Sequence, residues 1–369
     1  MHVLSGDLWA GAEVMAVQLL KELHRSNNSV VLALLLNQGR VAEELLDEGV
    51  HTVVLDESRL SFTRILQGVH RILHEFQPHV VHAHRYKENL LAYLATRRRG
   101  RPALVSTQHG MPETKLKGLS LQDRLKRRMN IVLLARGFDS LVVVSDDMRK
   151  RLSSDMGMNQ DRVQVIRNGI ELPSAHFRER PSPASSVVGS CGRLVPIKNY
   201  RLFVETAAQI VAHAPDTRFI LAGDGPEIEP LYRLHQDLEL KSSFCFLGHV
   251  KDISKFYQGL HVYMSTSIHE GIPMSILEAM GRGLPVVAPR VGGFPEIIDH
   301  GEDGFLIPGH DPEQFARSCL KLLSDPELLE QMGKAGQKKI AEKFSIQRMT
   351  EDYYQLYEKL SGPGGKQLL

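Results

Sequence analysis

Residues 267–298 read SIHEGIPMSILEAMGRGLPVVAPRVGGFPEII. An apolar run ends at Thr266, a polar elbow carries Glu270 and Gly271, and Pro273 stands where a helix begins, a position at which its missing N–H costs nothing. Glu270 therefore falls in a loop and Glu278 in the helix, more than a turn from its start. The first N–H groups of that helix, around Ile272 to Ser275, have no partner within it and point back at the elbow. Such a helix mouth attracts an anion. A carboxylate beside it can accept hydrogen bonds from polyol hydroxyls, and a second one further in can accept from another pair. This layout suits a phosphate with a sugar on each side. By spacing alone the ordinary reading is the favoured one, capping chemistry with Pro opening a helix and Glu near its start.

A chain of 369 residues exceeds the size at which one core keeps growing, so two domains are expected. Hydrophobic and charged contents of 42% and 24% are those of a soluble globular protein, which excludes a fibre or a disordered chain. A net charge of +2 is too mild to argue for nucleic acid. Cys191, Cys245 and Cys319 are far apart and form no Cys-x-x-Cys pair, against both a disulfide framework and a zinc site. A reducing cytoplasm is the simplest compartment. The opening MHVLSGDLW has neither a basic start nor an apolar block, and runs such as Val30 to Leu36 are too short to span a membrane. Any membrane association is then peripheral.

From residue 2 to about 170, short apolar runs alternate with helical periodicity: His2 to Leu4, Val30 to Leu36, Thr52 to Leu55, Val80 to His82, Ala103 to Ser106, Leu141 to Ser145 and Val163 to Ile166. These are the buried parallel strands of a doubly wound sheet. The first begins almost at Met1, which leaves either a trimmed sheet edge or a start further upstream. Ligands on such sheets lie beyond the carboxyl ends of the strands. The residues there are a glycine-bearing loop with Ala10 and Gly11, then His82 and His84, then His109 in STQHGM. Residues 113–130 are strongly basic; a solvated helix face is the default, and a basic amphipathic helix on anionic lipid is the sharper reading. Lys115, Lys117, Arg124, Lys126, Arg127 and Arg128 would then face the headgroups. Aromatic residues do not interleave these charges as single-stranded nucleic acid requires.

Around residue 168 an Asn-Gly turn leads into a Pro- and Ser-bearing polar segment, placed as the interdomain linker at 171–186. The second half repeats the logic of strand, glycine turn and helix. A strand to Cys191 runs into Gly192, Arg193 and Lys198, with Asn199 as the expected helix cap. FILAGDGPE follows, with Asp224 read as a turn former, and then FLGHVKDI with Gly248 and Val250. Helices are expected over Pro312 to Leu323, Pro326 to Lys343 and Ile346 to Leu360.

Residues 269–298, HEGIPMSILEAMGRGLPVVAPRVGGFPEII, resemble the signature of retaining glycosyltransferases of family 4, also called glycosyl transferases group 1. In that signature two glutamates separated by seven residues mark the donor site. The resemblance implies an α/β chain with the GT-B fold, two doubly wound Rossmann-like domains facing a cleft, the C-terminal helix crossing back to the first. Residues 1–170 would bind the acceptor and 187–343 the nucleotide sugar, with 344–369 as crossover helix and flexible tail.

By the same resemblance, Arg193 and Lys198 bind the diphosphate and Gly248 to Val250 present backbone to the base. Glu270, with Gly271 and Ile272, holds the donor sugar, Glu278 the ribose diol, and His109 a sugar hydroxyl from across the cleft. Gly11 belongs to the loop approaching the donor, where the family often carries two adjacent glycines and this chain has Ala10 and Gly11. His84 is a candidate for the acceptor side. No Asp-x-Asp occurs in the chain, so no metal or other cofactor is expected, and positive side chains with the helix dipole offset the charge. The implied activity is transfer of a sugar from a nucleoside-diphosphate sugar to a glycan or lipid-linked hydroxyl in cell-surface glycan or glycolipid assembly. A nucleotide-sugar epimerase of the same fold and a silent nucleotide-sugar-binding module are the alternatives.

Overall fold

The computed structural model describes residues 1–7, 9–26, 30–97, 101–110, 121–156, 162–173 and 186–362. The chain divides into two compact units, Met1–Gly169 with Ile346–Leu369, and Ile170–Ser345.

The first unit holds a seven-stranded parallel sheet: β1 (His2–Leu4), β2 (Leu32–Leu35), β3 (His51–Val54), β4 (Val80–Ala83), β5 (Ala103–Gln108), β6 (Ser140–Val143) and β7 (Val163–Val165), in the order β3-β2-β1-β4-β5-β6-β7. All seven expected runs are strands. Helices flank the sheet, so β1, β2, β4 and β6 are buried at every position and their sequences are apolar with little alternation. The C-terminal helix Ile346–Ser361 completes this unit. It packs on the helix Gly11–Arg25 and buries Ile346, Met349, Tyr353 and Leu356.

The second unit holds a six-stranded parallel sheet: β8 (Val187–Cys191), β9 (Arg218–Ala222), β10 (Phe244–Gly248), β11 (Val262–Met264), β12 (Val286–Pro289) and β13 (Gly304–Ile307), in the order β10-β9-β8-β11-β12-β13. Its core joins Phe203, Phe219 and Phe244, with ring centroids 5.6 to 6.3 Å apart, to Val262, Phe315 and Cys319. The helices Pro312–Ser324 and Pro326–Lys343 start where expected. Asp311 accepts from the Glu313 N–H and Asp325 from the Leu328 N–H, while the Pro in the first turn of each lacks an N–H that would have been unpaired.

In both sheets the strand order reverses between two neighbours, β1 and β4 in one, β8 and β11 in the other. At such a switch point the outgoing loops diverge and leave a crevice at the carboxyl ends of the strands. At the first of these points Arg85 donates to the buried carboxylate of Glu13, with the Asp7 carboxylate at 3.8 Å. Glu88, only 1% exposed, has one carboxylate oxygen without a partner among the described residues. Burial pushes its carboxyl up to about 7 from 4.5.

A raised carboxyl favours the native state only while it stays protonated. Stability should therefore fall as pH rises from 4.5 through about 7, by up to about 3 kcal/mol once Glu88 is ionised. Glu88→Gln should raise the melting temperature at pH 8 by roughly 5–10 °C and leave it unchanged near pH 4.5. Equal melting temperatures for variant and parent at both pH values, in scanning calorimetry, would contradict this.

Candidate active site

At the switch point of the second sheet, the loop after β8 carries Gly192 and the exposed Arg193, then closes a 3-10 turn over Pro196–Lys198. Two hydrogen bonds tie the loop after β11 to that turn. The Thr266 hydroxyl donates to the Lys198 carbonyl at 2.9 Å, and the Ile268 N–H to the Ile197 carbonyl at 2.8 Å. They bring Lys198 Nζ to 2.6 Å from Glu270 Oε1, which also accepts from the Ser267 hydroxyl at 2.8 Å. The two charged side chains are 21% and 18% exposed, so solvent screens the pair only partly.

Two glycines allow these loops to meet. Gly292, after β12, has φ +53°, and a Cβ there would lie 2.1 Å from the Glu270 carbonyl oxygen. With that space clear, the Gly293 N–H donates to the same carbonyl at 3.0 Å and holds the Glu270 backbone. Gly223, after β9, has φ +140°, and a Cβ would lie 1.9 Å from the Gly192 carbonyl oxygen. Its N–H donates to the Gly248 carbonyl at the end of β10. Asp224 is a turn former: its carboxylate accepts from the Gly225 N–H at 2.7 Å. Close backbone contacts thus link the carboxyl ends of five neighbouring strands, β8 to β12, with Val250 two residues beyond β10.

Glu278 lies inside the helix Met274–Gly281, where Tyr257 donates to its Oε2 at 2.9 Å. Burial raises the Glu278 carboxyl, against the opposing pull of the Tyr257 hydrogen bond and the Arg282 guanidinium. Two local expectations are corrected. Pro273 is not the first helical residue; it is extended (φ −74°, ψ 125°) and flanks a helix that opens at Met274, so the unpaired N–H groups shift along the chain. Asn199 precedes the helix Tyr200–His213 but caps it with no side-chain hydrogen bond. The preceding turn forces it into a left-handed conformation (φ 49°), which Asn tolerates. Gly271 and Ile272 are buried in the connection from Glu270 to this helix.

A sequence profile described as Glycosyltransferase Family 4 matches residues 9–173, and one described as Glycosyl transferases group 1 matches residues 174–339. The chain belongs to the family 4 glycosyltransferases. It is 26% identical over 380 residues to the UDP-Gal:alpha-D-GlcNAc-diphosphoundecaprenol alpha-1,3-galactosyltransferase of Escherichia coli, covering 96% of this chain and 95% of that one. It is 27% identical over 278 residues to the N-acetyl-alpha-D-glucosaminyl L-malate synthase of Bacillus anthracis, covering 73% and 71%. The crystal structure of Anabaena HepE in complex with UDP and glucose superposes with a TM-score of 0.83 at 21% identity, over 96% of this chain and 98% of that one. The sucrose-phosphate synthase of Thermosynechococcus elongatus superposes with a TM-score of 0.79 at 19% identity, over 97% and 98%. The fold is therefore GT-B, and the protein is an enzyme.

Two of the glycosyltransferase's expected site residues lie in the N-terminal unit. Gly11 is not in the loop; it is the exposed first residue of the helix Gly11–Arg25, because Ala10 already takes the flanking extended conformation. His109 follows β5 with its Nε2 3.1 Å from His84 Nδ1, and burial, with the Arg85 guanidinium a lesser cause, pushes the imidazole down to about 3. It is neutral at physiological pH. Of the basic segment 113–130, residues 113–120 lie outside the described residues, as do the side chains of Arg124, Lys126 and Arg127. So do residues 174–185 of the expected linker and 363–369 of the tail.

Reading the sequence missed Ser267, Thr266 and Tyr257. Ser267 stands three residues before Glu270 in the same elbow, and that spacing was a usable signal; Tyr257 carries none. Gly292→Ala should force the Glu270 backbone aside and lower the melting temperature by about 3 °C or more. An unchanged melting temperature, with the Lys198–Glu270 contact intact in a crystal structure of the variant, would contradict the role given to Gly292.

Proposed function

We propose that the enzyme is a retaining, metal-independent glycosyltransferase that moves a sugar from a nucleoside-diphosphate sugar to a hydroxyl acceptor in glycolipid or polysaccharide assembly. The observation that carries this reading is the Lys198–Glu270 pair at the switch point of the second sheet, with the exposed Arg193 in the same loop as Lys198. A diphosphate leaving group develops negative charge in the transition state, and two cationic side chains offset it there. Glu270 accepts from hydroxyls of the donor sugar and Glu278 from the ribose diol. Backbone at Gly248 to Val250 meets the base.

Glu270 is a poor nucleophile in this setting, since one of its oxygens is already held by both Lys198 and Ser267. Retention then follows from front-face attack. The bond from the anomeric carbon to the phosphate oxygen breaks, the acceptor oxygen bonds to the same face, and its proton passes to the departing phosphate. UDP is the first nucleotide to test, because the Escherichia coli relative is named for UDP-Gal and HepE is seen with UDP and glucose. The same relative's diphosphoundecaprenol acceptor supports a lipid-linked one here.

A site at the inner face of the membrane fits that acceptor and the free thiols Cys191, Cys245 and Cys319. No helix among the described residues is long and apolar enough to cross a membrane. The helix Leu121–Gly137, however, exposes Leu125, Met129 and Val132, spaced four and three apart on one face, next to exposed Arg128. Leu125→Glu combined with Met129→Glu should reduce cosedimentation with anionic vesicles by about half or more; equal binding to anionic and zwitterionic vesicles by the parent would refute the membrane contact.

Loss of one charge-assisted contact costs about 1.5–3 kcal/mol, so Lys198→Ala should weaken UDP binding roughly 10- to 100-fold in calorimetry. Glu270→Ala should abolish transfer to acceptor while the protein still melts cooperatively. Unchanged turnover in Glu270→Ala, or sugar interconversion without any acceptor, would overturn the reading.

A further inference from the structure

In the N-terminal unit, the helix Tyr86–Ala95, the start of β5 and the end of the helix Leu121–Gly137 surround an open cavity of about 300 Å³. It lies at the amino end of β5, a strand of six residues, and so roughly 20 Å from the carboxyl ends where this sheet has its crevice. Three guanidinium groups line it, those of Arg97, Arg101 and Arg136. Its wall is closely packed. A Cβ on Gly137 would lie 2.6 Å from the Tyr93 ring, so only bare backbone admits that ring, and the Arg97 guanidinium sits 5.6 Å from the ring centroid.

Basic residues at helix ends ordinarily bond the last carbonyls. Here other groups hold those carbonyls. The Thr96 hydroxyl donates to the Ala92 carbonyl at 2.7 Å, and Arg162 donates to the carbonyls of Ala135 and Phe138. Arg101 is fixed by a bidentate pair with Asp139, at 2.7 and 3.0 Å, and the same carboxylate accepts from the Leu104 N–H at 2.8 Å. Arg97 and Arg136 have neither a hydrogen bond nor an ion pair among the described residues. Two positive charges without a counter-charge therefore line one cavity, and an arriving anion relieves their repulsion. Guanidinium forks match paired phosphate oxygens in geometry as well as charge.

Arg136 also continues an apolar stripe. Leu125, Met129, Val132 and Arg136 are spaced four, three and four apart, and eleven residues make about three full turns, so the four share one helix face. The first three are exposed. A bilayer on that face would take the apolar side chains below its headgroups and leave Arg136 level with their phosphates. We propose that Arg97, Arg101 and Arg136 form a binding site for a phosphate group, supplied by the headgroup of an anionic membrane lipid. The lipid source rests on the membrane contact proposed above; the cavity and its charge do not. A soluble phosphate compound is the rival source.

Cosedimentation of the full chain with phosphatidylcholine vesicles containing phosphatidic acid, at fixed ionic strength, tests the site. Arg97→Gln with Arg136→Gln should weaken binding roughly tenfold or more. Arg97→Lys with Arg136→Lys keeps the charge and removes the paired donors, so binding should still fall about threefold or more. Parent-like binding by the lysine variant would overturn the proposal, since a basic surface drawn to an anionic bilayer then suffices; parent-like binding by the glutamine variant would overturn it too. The soluble arm is calorimetry with glycerol 3-phosphate, the headgroup of phosphatidic acid without its chains. Heat that disappears in the glutamine variant while vesicle binding is unchanged would overturn the lipid source in favour of a soluble one. Both arginines are exposed, so each variant should melt as the parent does and bind UDP as the parent does. Loss of vesicle binding in Leu125→Glu with Met129→Glu, but in neither arginine variant, would keep the membrane contact and overturn the site. Weak UDP binding by the parent would sink the glycosyltransferase reading and leave this result standing.

Discussion

The ion pair between Lys198 and Glu270, 2.6 Å long, joins the loops that follow two strands adjacent in the sheet but far apart in the chain. Neither residue could hold its position alone. Lys198 is placed by a 3-10 turn whose carbonyls at Ile197 and Lys198 accept from Ile268 and Thr266, and Glu270 by Gly293 through its backbone and Ser267 through its carboxylate. A flexible lysine stem held in this way has already lost most of its freedom, so under the proposed function it would lose little more on meeting a phosphate.

The glycines around the pair follow from that close approach. Where Gly292 passes the Glu270 carbonyl and Gly223 passes that of Gly192, a methyl group would overlap backbone oxygen. The loops at the carboxyl ends of β8 to β12 therefore pack backbone on backbone, with N–H groups and carbonyls exchanging bonds between neighbours. The N-terminal unit reaches order by another route. Its strand ends are linked by side chains, and two tyrosines of the returning helix Ile346–Ser361 join them, Tyr357 bonding to His82 of β4 and Tyr353 to Thr107 of β5. That helix thus does more than cover apolar surface.

Much of the architecture was legible because the physics is local or periodic. Strands buried on both faces read as unbroken apolar runs, and Asp311-Pro312 and Asp325-Pro326 announce their helices. The elbow at Glu270 and the strand end at Arg193 stood out through their residue types and the family resemblance. Pro273 was displaced by one position because a proline is as comfortable in the extended residue before a helix as in its first turn, and Asn199 serves a left-handed bend where a cap was expected. Gly11 looked like a loop residue because the sequence does not mark where the helix starts. Direct long-range pairing was not legible: Lys198 and Glu270, which only the family resemblance put in one site, are 72 residues apart, and His2 and Tyr357 are 355 apart, so no window along the chain contains both partners.

The central claim is that a nucleoside diphosphate is held at the second sheet's switch point by two cationic side chains, without a metal ion. A crystal structure of the full chain with UDP, grown in excess chelator, tests it most directly. Diphosphate oxygens should lie about 3 Å from Lys198 Nζ and from the Arg193 guanidinium, with the ribose at Glu278. UDP bound away from these residues, or bound only when a divalent cation is restored, would contradict the account.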